Sequence, residues 1–322
     1  KNGPLRPPWK SMNQGAPSFI ITFLLYIAFG YGVRMSGLAD EDFMKRLNKV
    51  IFQAFFPILM FNNLYSIPEG MTLNLRLVAV AIISVLLLQA VLLAVVPRLV
   101  KENERRGVII QAIFRSNFVL FGLPLTIAVF GDSAASIAAM MVTVVVSIYN
   151  TTSVFILEMF NGEGKSDIKK TLKAVATNPL LQGAIVGLIF FFLGIKLPGS
   201  LVTPIAAFSN MTSPLAIYVL GGTLQFKAIR KNLKYLVPTL TCKLFILPAI
   251  IIAIAYAFGL RGLELFLLIA VYATPVAAAS YPMAQNMGGD GELAGQFVVI
   301  STAVSMFTLF LWIFFMKSVG LI

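Results

Sequence analysis

The stretch Arg115-Ser-Asn-Phe-Val-Leu-Phe-Gly-Leu-Pro124 sets a guanidinium, a hydroxyl and an amide beside a glycine and a proline, inside an apolar run of roughly residues 107–130. A helix crossing hydrocarbon has no need of Asn117, Gly122 and Pro124 together at half depth. Proline removes a backbone donor and its ring clashes with the preceding turn. The freed backbone groups need partners in protein or in a water-filled cavity. These residue types suit binding an anion rather than covalent chemistry. Two half-helices that meet present unpaired N–H groups and partial positive charge, which a carboxylate can use. Broken helices at corresponding positions of two halves are a sequence mark of a transporter site.

A second break exists. Pro282 lies 158 positions after Pro124, and each is followed seven residues later by Gly-Asp, at Gly131-Asp132 and Gly289-Asp290. The same offset carries Thr143 and Ser147 onto Ser301 and Ser305, and Asn117 onto Pro275 in Ala273-Thr-Pro-Val-Ala-Ala-Ala-Ser-Tyr-Pro282. At an offset of 157, Pro57 matches Pro214 and Gln53 matches Asn210. Shared punctuation at nearly one spacing indicates an internal repeat. The expected breaks run from Asn117 to Pro124 and from Pro275 to Pro282. With inverted repeats they face each other near the midplane, where Ser280 and Tyr281 add side-chain hydrogen bonds to those of Asn117.

Other polar residues inside apolar segments are Asn62, Asn63, Asn210, Gln53, Thr212 and Ser213. Some face substrate and others tie helices together, as buried amides do. Thr143/Ser147 and Ser301/Ser305 are each spaced i, i+4, so each pair shares a helix face. They either satisfy the broken helices' backbone or touch an ion. Arg115 and Lys243 each sit about eight residues from a cytoplasmic end, ~12 Å deep by helical rise. Each either binds substrate or snorkels to the interface.

The elements that must position these residues are helices across a bilayer. The chain has 322 residues, of which 58% are hydrophobic and 12% charged, with a mean hydropathy of +0.89. Segments of about 20 apolar residues recur along its length. Ten spans are read, at about 17–35, 48–65, 73–97, 107–130, 133–160, 178–195, 199–224, 235–259, 262–286 and 291–316. The fold class is therefore all-α and polytopic. It consists of two inverted five-helix repeats, residues 1–160 and 178–322, joined by a cytoplasmic connector at 161–177, with broken helices 4 and 9 crossing. An odd number of spans per half makes the second half enter from the other side. The connections after spans 1, 3, 5 and 7 each carry four basic residues, such as Arg98, Lys101, Arg105 and Arg106, whereas the even connections hold only Arg76, Lys196 and Arg261. Odd connections are then cytoplasmic and both termini lie on the non-cytoplasmic side of a plasma or inner membrane. Asp40-Glu-Asp42 reads as the start of a short interfacial helix. Gly183 and Gly187 form a small-residue packing face, for internal packing or for a homodimer.

Composition also excludes. The chain has no histidine and one cysteine, Cys242. Imidazole relays, histidine zinc sites and an intramolecular disulfide are ruled out, and no cofactor or metal is expected. Asp132, Glu158, Glu264 and Asp290 all fall near span ends, which leaves no midplane carboxylate for cation exchange or acid–base work. The net charge of +12 reports topology rather than a nucleic-acid partner. The glycosylation patterns at Asn150-Thr-Thr and Asn210-Met-Thr lie within apolar segments and are discounted. Lys1–Lys10 is basic and proline-rich and does not read as a signal-peptide core.

Five motifs carry a family resemblance: Phe114-Arg-Ser-Asn-Phe with Gly122-Leu-Pro; Thr177-Asn-Pro-Leu; Ser213-Pro-Leu-Ala with Leu220-Gly-Gly-Thr-Leu; Lys243-Leu with Leu247-Pro; and Ala278-Ala-Ala-Ser-Tyr. In these, and in their order, the chain resembles the auxin efflux carrier family, which includes bacterial members and plant PIN-type carriers. The resemblance implies ten helices with a crossed pair at 4 and 9. It implies a scaffold of helices 1, 2, 6 and 7, usually dimeric, beside a moving domain of helices 3–5 and 8–10. It implies elevator-type export of an organic anion, auxin-like or a small carboxylate of the malate or malonate kind. The long cytoplasmic loop of PIN-type carriers is absent, which points to a compact or bacterial-type member. The partners implied are the anion, the lipid bilayer and a second copy of the chain. Two rival readings use the same residues: a sodium-coupled symporter of the bile-acid type, with the hydroxyl ladder as its cation site, and a membrane-embedded ligand sensor that does not transport.

The topology can be tested by reporter fusions. Alkaline phosphatase fused after Ile322 is expected to be active and a fluorescent protein there dark, with the reverse outcome for fusions within 161–177.

Overall fold

In a computed structural model, residues 9–67, 74–161 and 168–322 are described, and all of their regular secondary structure is helical. Most of the basic tail and Lys165 of the connector lie outside these residues. The first half comprises α1 (Trp9–Met35), α2 (Glu41–Val50), α3 (Phe56–Tyr65), α4 (Leu75–Leu99), α5 (Asn103–Phe114), α6 (Leu123–Phe130) and α7 (Ala135–Met159). After α8 (Ile168–Ala176) come α9 (Pro179–Phe192), α10 (Gly199–Thr223), α11 (Phe226–Thr241), α12 (Leu247–Ala257), α13 (Gly262–Ala273), α14 (Ser280–Asn286) and α15 (Gly291–Ser318). Among the described residues four helical stretches are long and apolar enough to cross a membrane: Leu75–Leu99, Asp132–Met159, Ala228–Ala257 and Gly291–Ser318. The chain is a helical polytopic membrane protein. Its outer faces carry large apolar side chains such as Leu87, Phe192, Phe258, Phe307 and Phe314, as hydrocarbon requires.

Starts are set by caps. Asp40 Oδ1 accepts from the Phe43 N–H at 2.6 Å, Asn74 from Leu77 at 3.1 Å, Asn178 from Leu180 at 3.0 Å and Asp290 from Leu293 at 2.9 Å. Each satisfies a first-turn donor that has no partner within the helix. Pro179 follows Asn178 at the first helical position, where its missing N–H costs nothing. α2 does begin at its acidic cap, but it is not a separate interfacial helix. It runs through a π turn at Ile51–Phe55 directly into α3.

Among the described residues that π turn is one of three, and each lies just ahead of a proline. Ile51–Phe55 precedes Pro57, Phe118–Gly122 precedes Pro124, and Cys242–Ile246 precedes Pro248. In each, proline comes two residues after the wide turn ends. A proline ring collides with the carbonyl four residues back and leaves it without a donor. Adding a residue to that turn relieves the collision while the helix continues. Pro124 therefore sits in the first turn of α6 and Pro282 in the first turn of α14. The first interruption falls earlier than Asn117–Pro124, at Arg115–Asn117, whereas the second, Thr274–Ala279, opens within one residue of the expected Pro275 and closes three residues before Pro282.

Glycines set two helix seams. A Cβ on Gly30 of α1 would strike the Tyr218 carbonyl of α10, and one on Gly221 of α10 would strike the Ile27 carbonyl of α1. A Cβ on Gly187 of α9 would lie 2.8 Å from the Phe61 carbonyl oxygen of α3, and Gly183 meets Pro57 in the same way. The Gly183/Gly187 face is thus occupied by α3 of the same chain. Residues 107–114 of α5 and 265–273 of α13 are buried on every side, which identifies these as the central helices that carry the interruptions.

The seams predict a contrast. Gly30→Val must push α1 off α10, with a stability loss of about 1–3 kcal/mol read as a lower thermal midpoint in detergent. Gly32→Val, whose Cβ has nothing within 4 Å, is expected to stay near the parent.

Candidate functional site

The two interruptions meet. Ser116 and Val276 form an isolated antiparallel bridge, and the Asn117 N–H donates to the Pro275 carbonyl at 2.7 Å. Two further donors at the interruptions are also matched. The Arg115 N–H donates to the Gln111 carbonyl at 2.9 Å, and the Val276 N–H donates to Ser301 Oγ at 3.0 Å. Proline at 275 has no N–H to satisfy, which removes one donor from the crossing.

Around this crossing the side chains are unusual for a membrane interior. The Arg115 guanidinium, 3% exposed, donates to Asn150 Oδ1 of α7 and contacts Met283 Sδ of α14 at 2.6 Å. Asn150 Nδ2 in turn reaches Met60 Sδ at 2.9 Å. Lys243, in the π turn ahead of α12 and fully buried, donates to Ser116 Oγ. Neither base snorkels. Among the described residues no carboxylate lies within ion-pair distance of either, and all the ion pairs present involve Arg34, Lys45 and Arg105 near helix ends. Asn117 Nδ2 is buried without a hydrogen-bond partner.

Two cavities open from this point. One of about 90 Å³ is lined by Arg115, Ser116, Asn117, Asn63 and Ser213, with Ala277–Ala279 on its far wall. The other, about 230 Å³, lies between α3, α7 and α9 and is lined by Asn62, Asn63, Thr143, Ser147 and Asn150 among apolar residues. Met60, Asn63, Val146 and Asn150 belong to both walls.

The structure therefore places Arg115, Asn117, Asn62, Asn63, Thr143 and Ser147 on two adjoining cavities with a shared wall, with Pro275 at the bridge. It does not bring the others there. The Tyr281 hydroxyl lies 2.7 Å from that of Thr223, away from both cavities. Ser280 Oγ is buried without a partner, and Pro282 is in the first turn behind it. Gly122 is there because the Phe118 ring fills the space a Cβ would need, and Pro124 follows in α6. Asn210 is exposed on α10, and Gln53, in the π turn ahead of α3, is exposed in a shallow groove with Pro57 and Gly183. The hydroxyl ladder divides: Thr143 and Ser147 face the cavity, whereas Ser301 caps the Val276 N–H and Ser305 donates to the Thr302 carbonyl at 2.8 Å.

Two residues of the site are not among those that the sequence singles out for binding. Asn150 falls in a discounted glycosylation pattern, although an amide in mid-span is itself a signal. Ser116 lies between Arg115 and Asn117 and shares their position at the interruption.

A family model described as membrane transport protein matches residues 18–313. An uncharacterized transporter of Methanothermobacter thermautotrophicus is 24% identical over 307 residues, spanning 92% of this chain and 97% of that protein. An uncharacterized transporter of Methanocaldococcus jannaschii is 22% identical over 301 residues, spanning 91% and 96%.

Asn150→Leu keeps the branch point and the number of heavy atoms but leaves the Arg115 guanidinium without its oxygen acceptor. A buried donor left unmatched costs about 1–3 kcal/mol or more when charged. The variant is expected to unfold several degrees earlier in a thermal-shift measurement.

Proposed function

The chain belongs to the membrane transport protein family, and on that premise we propose that it is a secondary transporter of a small organic anion, held at the crossing of the two interrupted helices. The observation that carries the reading is the pair of buried bases, Arg115 and Lys243, with no carboxylate partner among the described residues, beside the unmatched amide donor of Asn117. Arginine stays charged in any protein setting, and an uncompensated buried charge is costly. A carboxylate entering the smaller cavity offsets that cost and accepts from Asn117 at once.

The proposal includes the architecture. α2–α3, α5–α6, α11–α12 and α13–α14 each pair into one span, which makes ten spans in two inverted five-helix repeats. Two equivalences support this. The hydrogen-bonded pair Asn117/Pro275 is 158 positions apart, as a two-fold axis through the crossing requires. The glycine seams match too: Gly30 and Gly187 are 157 apart, and so are the residues they press on, Phe61 and Tyr218. On this reading α1, α3, α9 and α10, joined by those seams, form a scaffold able to pair with a second copy. The crossing and its neighbours form the domain that moves, elevator-fashion, in a multi-pass membrane protein with both termini on the non-cytoplasmic side. The divided ladder supplies no shared cation site and so favours this reading over sodium symport.

Uptake of labelled small carboxylates into proteoliposomes tests it. Arg115→Gln is expected to abolish saturable uptake. Asn150→Asp, which supplies a carboxylate beside Arg115, is expected to raise the thermal midpoint and to block the stabilisation that added carboxylate gives the parent. Carboxylate uptake unchanged in Arg115→Gln would sink the proposal.

A further inference from the structure

We infer that the larger cavity receives the hydroxyl-bearing end of a short hydroxy-monocarboxylate, an inference that rests on the anion reading above and specifies its substrate class. The two cavities adjoin, with Met60, Asn63, Val146 and Asn150 in the wall of both. A ligand with its carboxylate at Arg115 and Asn117 that reaches past this shared wall extends its other end along α7 toward Ser147 and Thr143.

Hydrogen directions set the chemistry of that end. The Ser147 hydroxyl donates to the Thr143 carbonyl at 2.7 Å, and the Thr143 hydroxyl donates to the Ala139 carbonyl at 3.1 Å. Each hydroxyl has one hydrogen and two lone pairs. With the hydrogens held by the helix backbone, the oxygens face the cavity as acceptors. A ligand O–H is matched there. A second carboxylate is matched less well, because it meets these two acceptors and finds neutral amides such as Asn62 and Asn63, with no base, on the larger cavity's wall. An ammonium is not matched, because no acidic side chain lines that wall. The remaining lining, Val142, Leu180 and Ala184 included, suits methylene groups between the two polar ends.

Length is bounded as well. From Asn150 to Thr143 the helix rises ~10 Å, the reach of an acid of about four to six carbons in an extended chain. Aromatic acids have no use for the Thr143 and Ser147 oxygens, which their insertion would leave unmatched at a cost.

The test compares butanoate with 4-hydroxybutanoate, and includes succinate, by equilibrium binding to the full chain in lipid nanodiscs. The expected result is that 4-hydroxybutanoate binds about tenfold tighter than butanoate and that succinate binds more weakly than either. In Thr143→Val and in Ser147→Ala the ratio of the two affinities should fall toward one, while Thr143→Ser, which retains the oxygen, should keep it. Equal affinities for butanoate and 4-hydroxybutanoate in the parent, or tightest binding of succinate, overturn the hydroxy-acid inference and leave the anion reading intact. Absence of binding by all three acids together with no carboxylate uptake overturns both. A preference that survives both Thr143→Val and Ser147→Ala overturns the assignment to this cavity.

Discussion

The centre of this molecule depends on how two interrupted helices satisfy each other's backbone. A break within hydrocarbon frees N–H and C=O groups that lipid cannot match. Here each break supplies partners for the other: Asn117 donates to Pro275, Ser116 bridges Val276, and α15 lends Ser301. These contacts hold the crossing deep in the protein. Once its backbone is matched, the groups left at the crossing are side chains, namely Arg115, Ser116 and Asn117 on one strand and small alanines on the other. The small residues at Ala277–Ala279 leave the space that the smaller cavity occupies.

Two devices hold that arrangement in place. The glycine seams bring α1 against α10 and α3 against α9 at backbone distance, where packing rather than the hydrophobic effect joins helices in lipid. The π turns let Pro57, Pro124 and Pro248 lie inside continuous helices. They also rotate the side chains beyond them about the helix axis. Lys243 lies within one such turn and points inward at Ser116 rather than out to lipid. π turns often mark functional positions, and here the reason is geometric: a wide turn changes which face of the helix carries the next side chain.

The helical, membrane-spanning character was legible from apolar length alone, and the existence of paired interruptions from proline spacing. Their positions were legible only for the second, which Pro275 marks. Proline marks a break, the first turn after one, or a wide turn within a helix: Pro282 is of the second kind, and Pro124, beyond the π turn that follows Asn117, is of the third. Arg115 and Lys243 could have snorkelled, since depth counted along a helix says nothing of its surroundings. Residues 107–114 are buried on all sides, so no path to the interface is open. The hydroxyl ladder was visible as a spacing, but only tertiary packing divides it between cavity and backbone. Tyr281, at the end of an attractive motif, turns toward Thr223 because the cavity-facing wall ahead of α14 is Ala277–Ala279 and not the helix's first turn. The equivalence of Gly30 with Gly187 is present in the sequence, but it carries meaning only once each is seen against a carbonyl of the facing helix.

The electrostatics of the crossing link binding to movement on the proposed reading. Moving one elementary charge across a membrane potential changes the free energy by about 2.3 kcal/mol per 100 mV. A domain carrying Arg115 with no compensating acid must bear that cost, together with the desolvation of an unmatched ion, whenever it crosses empty. An anion beside Arg115 cancels that residue's share of both in one step. On this reading the lack of a carboxylate beside Arg115 among the described residues leaves that charge to the substrate. An aspartate in place of Asn150 would make a more stable protein by permanently supplying the charge that the substrate is to bring. The amide holds the guanidinium in position through a neutral oxygen and leaves its charge for the ligand.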